Sequence, residues 1–71
     1  MFHFNDKILV IGNFNKIILL SDKQIIFDFK RYILTVNGDM LVMPYLEDNE
    51  VGIKGVIKGI DIKYKMVKDN V

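Results

Sequence analysis

The feature that most constrains this chain is what its side chains cannot easily do. Alanine, the best helix former, is absent from all 71 residues, while 11 Ile, 7 Val and 1 Thr are β-branched. β-Branched side chains lose rotamer freedom in a helix and pack well on a pleated surface, so an all-β fold is expected. Hydrophobic residues make up 51% of the chain, well above the range in which chains stay disordered, so a packed core is expected as well. At this length a single domain over residues 1–71 buries only about 60% of its unfolded surface. Small domains compensate with disulfides, metals or oligomerisation. There is no Cys, which removes disulfides and thiolate metal sites and suits a reducing compartment. A dense core, a partner surface, or both must then do the work.

Apolar runs separated by turn residues place strands at 7–11, 16–20, 24–29, 32–36, 40–45, 51–56 and 57–65. Alternation is clearest in the third run, where Ile25, Phe27 and Phe29 share one face and Gln24, Asp28 and Lys30 the other. Between the fourth and fifth runs stands Asn37-Gly38, the strongest short-range signal for a hairpin turn. Gly12 and Gly55 close two further apolar runs and are assigned to turn or bulge positions. Pro44 cannot donate to a ladder and belongs at a strand end or sheet edge. An acidic turn is expected over Glu47-Asp48-Asn49-Glu50. The connections are too short for crossover helices, so neighbouring strands should pair antiparallel. The resulting architecture is a single antiparallel meander of six to seven short strands. It would be curled into a sandwich, a rolled sheet or a solenoid-like stack, with residues 1–6 and 66–71 loosely ordered.

Candidates for chemistry are few. His3 is the sole histidine and Ser21 the sole serine. His3 has no partner nearby in sequence, and Ser21-Asp22 reads as a turn pair. No glycine opens a helix that could cradle phosphate. The chain is expected not to be an enzyme and to take no cofactor, metal or small-molecule substrate. Neither a secretory signal nor the roughly 20 apolar residues of a membrane helix is present, which leads to a cytoplasmic expectation. Net charge is +1, with −3 over residues 21–50 and +3 over residues 51–71. Lys54, Lys58, Lys63 and Lys65, with Tyr64, could form the basic, aromatic face of a small nucleic-acid-binding barrel, which is the alternative reading.

A different surface is suggested by strands that are apolar on both faces. Residues 17–20 and 40–43 show no polar alternation. In a small sheet only one face can be internal, so the other calls for a second copy or a partner. Ile18, Leu20, Met40, Met43 and Tyr45 are the interface candidates, and a homo-oligomer is expected.

Four segments, in order and at fitting spacing across residues 6–64, carry a family resemblance. They are Ile8-Leu9-Val10-Ile11-Gly12-Asn13, Leu19-Leu20-Ser21-Asp22-Lys23-Gln24-Ile25, Leu34-Thr35-Val36-Asn37-Gly38-Asp39-Met40-Leu41 and Glu50-Val51-Gly52-Ile53-Lys54-Gly55-Val56-Ile57. Together they resemble the YabP/YqfC family of sporulation proteins, and more closely its YqfC branch. One departure is Tyr32, where relatives tend to carry Gly. The resemblance implies a non-enzymatic factor of spore cortex or coat assembly in the mother cell. It also implies a membrane-anchored YqfD-like partner, which could hold the protein at the forespore membrane.

Overall fold

The computed structural model describes residues 2–5 and 7–66. Among them there is no helix. The strands are β1 (Phe2–Asn5), β2 (Ile8–Gly12), β3 (Lys16–Leu20), β4 (Gln24–Asp28), β5 (Tyr32–Glu47) and β6 (Glu50–Tyr64). All lie in one open sheet in the order β1-β2-β6-β5-β4-β3, and every neighbouring pair is antiparallel. Residues 2–5, expected to be loose, pair with β2. The chain tail beyond Met66 lies outside the described residues.

Two expectations require correction. The fourth and fifth predicted strands are one strand, β5 of 16 residues, and the sixth and seventh are β6 of 15 residues. Asn37 and Gly38 therefore do not form a hairpin turn; both lie inside β5 and pair with Gly59 and Ile57. The real β5–β6 turn is the two-residue loop Asp48-Asn49, inside the predicted acidic turn, with Glu47 paired to Glu50. Nor is the sheet a simple meander throughout. β3 to β6 follow one another, but β2 joins the far side of β6. The cause is length: β4 covers only Ile33–Asn37 of β5, and β2 only Glu50–Ile53 of β6. The long hairpin thus carries one sheet half on β3 and β4 and another on β1 and β2.

Between the halves, β5 and β6 are bulged. The register shifts between Asn37 and Gly38 and again between Asp39 and Val42. Met40 adopts φ 52° and Gly55 φ 130°. An extra residue in one strand switches which face its later side chains occupy. That switch is visible in β5, where Leu34, Val36 and Gly38 are buried and then Leu41 is buried with Met40 outside. The bend lets both halves contribute to one core: Leu9, Ile11, Val51 and Ile53 from one, Ile25, Phe27, Leu34 and Val36 from the other. The connection from β2 to β3 crosses between the halves. Asn13, at φ 64°, donates its amide to the Asn49 carbonyl at 2.8 Å, and Asn15 donates to the Asp28 carbonyl at 2.7 Å. Phe14 between them is buried against Phe27, ring centroids 5.2 Å apart. Pro44 falls in the part of β5 that β4 does not reach, an edge position where its missing N–H costs nothing.

Two glycines are required by this waist. A Cβ on Gly38 would run into the Val56 carbonyl oxygen, and one on Gly55 would lie 2.6 Å from the Met40 carbonyl oxygen. A Cβ on Gly59, by contrast, would meet nothing within 4 Å. Gly59→Ala should leave stability unchanged or raise it by up to about 1 kcal/mol by narrowing the unfolded ensemble. Gly38→Ala should lower it by about 3 kcal/mol through the backbone clash. Urea unfolding of the two variants checks the contrast; equal midpoints would contradict this account of the waist.

Candidate interaction surface

β3 ends the sheet on one side, and its outer edge has no strand neighbour among the described residues. Its register against β4 slips at Ile18: Ile17 pairs with Phe27, and Leu19 with Ile26. The slip turns Ile17 onto the core while leaving Ile18, Leu19 and Leu20 outside. Ile18 is 49% and Leu20 57% exposed. Natural sheets guard such edges with charges, prolines or bulges. β3 has the bulge and Lys16 at its start, but its last three residues are a continuous apolar run.

The five interface candidates divide. Ile18 and Leu20 lie on this edge, and Met40 stands 69% exposed at the waist. Met43 instead packs against the core. The Tyr45 ring lies over Gly52, where any Cβ would collide with it, and its hydroxyl donates to a Glu50 carboxylate oxygen at 2.9 Å. That hydrogen bond to the carboxylate holds the Tyr45 phenol above its ordinary pKa. Leu19, Val42 and Val56 are exposed as well and were missed. Leu19 was available from the unbroken apolar run. Val42 and Val56 depend on the bulges, which no sequence alternation announces.

The outer face around these residues is polar and cross-linked. The Gln24 side-chain amide donates to Asn37 Oδ1 at 3.0 Å, and Asn37 Nδ2 donates to Asp61 at 3.2 Å, a ladder across β4, β5 and β6. At the waist Asp39 accepts from Lys23 at 2.7 Å and pairs with Lys58 at 3.3 Å. Lys65 pairs with Asp28 at 2.8 Å. Ser21 acts as the turn residue that was expected: its hydroxyl donates to the Gln24 carbonyl and accepts from the Gln24 amide, each at 3.0 Å.

The basic group reads differently in three dimensions. Lys63 and Tyr64 end β6 and Lys65 follows directly, but Lys54 lies about 30 Å of strand length away. Lys58 and Lys65 are engaged with Asp39 and Asp28. The Tyr64 ring meets Tyr32 edge-on at 5.7 Å, and Tyr32 stacks on Phe29 at 4.7 Å. The side chain of His3 lies outside the described residues. No described helix is long and apolar enough to cross a membrane. Comparison of the chain with family models, with curated proteins and with solved structures gives no match.

The ion pairs set a pH dependence. Hydrogen bonding from Lys23, then from Lys58, holds the Asp39 carboxyl below its ordinary value of 3.8. Hydrogen bonding from Lys65 does the same for Asp28. Both carboxylates therefore stabilise the fold fully above pH of about 4, and that contribution is lost as pH falls through their folded values. Lys23, raised above 10.5 chiefly by its hydrogen bond to Asp39, contributes below that pH and loses its contribution as pH rises through its folded value. Urea midpoints of the wild type should accordingly fall on the acid limb. Asp39→Asn should flatten both limbs; an unchanged acid limb in Asp39→Asn together with Asp28→Asn would refute the assignment.

Proposed function

We propose that this chain is a non-enzymatic assembly module that associates with a second copy of itself through the β3 edge. The observation that carries the reading is the edge of β3, which has no strand neighbour among the described residues, with Ile18, Leu19 and Leu20 exposed in succession. Antiparallel pairing of two β3 strands about a two-fold axis through Ile18 would set Ile17 opposite Leu19 of the other copy and Lys16 opposite its Leu20. The central pairs, Ile18 with Ile18 and Ile17 with Leu19, are then apolar, and Lys16 flanks them at each end. A single shared edge gives main-chain hydrogen bonds as well as side-chain burial, the mode by which sheets recruit further strands.

The resemblance to the YabP/YqfC family supplies the biological setting of this proposal. The protein would act in spore envelope assembly in the mother cell, held near the forespore membrane by a membrane-anchored partner of the YqfD kind. Pull-down from sporulating cells under mild detergent should recover that partner, and its absence would remove this setting while leaving the self-association to stand.

Sedimentation at high micromolar concentration tests the association directly. The wild type should sediment as a dimer or larger species. The double variant Ile18→Lys, Leu20→Lys should be a monomer with an unchanged far-ultraviolet circular dichroism spectrum, because both side chains are half in solvent already. A monomeric wild type, or a folded double variant that still dimerises, would overturn the proposal.

A further inference from the structure

Asn37-Gly38, which lies inside β5 and not in a hairpin turn, carries a chemistry of its own. In a flexible chain Asn-Gly is the pair most prone to deamidation, because Gly leaves the following amide nitrogen unhindered. The Gly38 nitrogen attacks Asn37 Cγ, the N–Cγ bond forms, the Cγ–Nδ2 bond breaks, and the proton lost from the Gly38 amide leaves with ammonia. Water then opens the succinimide. Cleavage of the new N–Cγ bond gives aspartate, and cleavage of the bond between that nitrogen and the Asn37 main-chain carbonyl carbon gives isoaspartate.

Each participant in that reaction is restrained in this fold. The Gly38 amide, which must lose its proton to attack, donates to the Lys23 carbonyl at 3.0 Å. The Asn37 side chain is held at both ends, Oδ1 by Gln24 and Nδ2 by Asp61. Asn37 lies in the extended backbone of β5, paired on one side with Gln24 and on the other with Gly59. Ring closure requires the Asn37 ψ to leave the extended region, which would break both ladders. We propose that Asn37-Gly38 is a conformationally gated deamidation site: closed in the folded sheet, open when the β4–β5–β6 ladder opens, and unable to close again once modified.

The last part follows from the neighbours. Aspartate at 37 would place a carboxylate where the Asn37 amide now sits 3.2 Å from the Asp61 carboxylate. Two carboxylates at that distance disfavour joint ionisation. Isoaspartate adds a backbone atom next to the register shift from Asn37↔Gly59 to Gly38↔Ile57. On the side where a Gly38 side chain would stand, the Val56 carbonyl and the Leu41 side chain already fill the space, so an added backbone atom has little room there. Opening of the sheet is thereby recorded covalently.

The test incubates native protein and protein in concentrated guanidinium in parallel at one pH and temperature. The peptide containing residue 37 is followed by mass spectrometry, with isoaspartate scored by methyltransferase labelling. Native protein should deamidate at Asn37 at least about tenfold more slowly, and intermediate denaturant should speed the reaction in step with the open fraction. Equal rates in the two states would overturn the gating. Asn37→Asp should lower the urea midpoint at neutral pH and regain part of the loss where one carboxylate of the pair is protonated. Isolated isoaspartate-37 protein should fail to recover the native spectrum. If either product matches the wild type in stability, reclosure is not blocked.

Discussion

The close contact of Gly38 with the Val56 carbonyl, and of Gly55 with the Met40 carbonyl, is the constraint from which the rest of the architecture follows. A 16-residue strand in a flat sheet would be about 50 Å long and would leave one apolar face of each half in water. The bulges at the waist allow β5 and β6 to bend while staying paired from Tyr32↔Tyr64 to Glu47↔Glu50. One continuous hairpin thereby supplies inner faces to a single core. Asp39, clamped between Lys23 of the β3–β4 turn and Lys58 of β6, ties three segments together at the same place. The backbone bonds Gly38→Lys23 and Leu41→Asp22 add to the clasp. The exposed ion pairs by themselves contribute modestly; their value lies in selecting one register for strands whose apolar faces would tolerate several.

The same geometry creates the surface problem. Among the described residues the long hairpin has, in each half, a strand neighbour on one side only, so β3 and β1 end the sheet and parts of β5 and β6 are also edges. The edges are treated unequally. β5 carries Pro44 in its uncovered stretch, and β6 places Asp61 and Lys63 along its own. β3 offers three exposed apolar residues in a row. In a chain this small, where stability is already limited by how little surface folding can bury, covering that edge stabilises the fold and the assembly together.

Much of the fold could be read from the residues. The all-β class, the antiparallel pairing, the strand at 16–20 and the acidic turn rest on β-branched content and on turn residues that act locally. What could not be read was the continuity of β5 and β6. A bulge and a turn have the same local signature, a Gly or a residue at positive φ between apolar runs, and they differ only in whether a distant strand is present to pair across the interruption. Met40 shows the difficulty: nothing about methionine announces φ 52°. Asn37-Gly38 shows it from the other side, since its Gly is needed for a close approach by Val56 from across the sheet. The candidate surface was legible where it depended on an apolar run, as at Ile18 and Leu20. It was not where it depended on bulge phase, as at Met43, which points inward, and at Val42 and Val56, which point out.

The placement of polar residues on the outer face argues that register, rather than raw stability, is what they serve. Gln24, Asn37 and Asp61 align in one row across three strands. A slip of β5 by one residue would bring Val36 or Gly38 into that row and Asn37 to the core side, leaving its amide unpaired in an apolar interior, at a cost of a few kcal/mol. Asn is well suited to the middle of the row because one amide both accepts from Gln24 and donates to Asp61; a carboxylate cannot do the second, nor a lysine the first. Gly must follow it because Val56 leaves no space for a side chain. The pair is therefore the product of two independent structural demands, and its chemical lability comes with meeting both of them in one dipeptide.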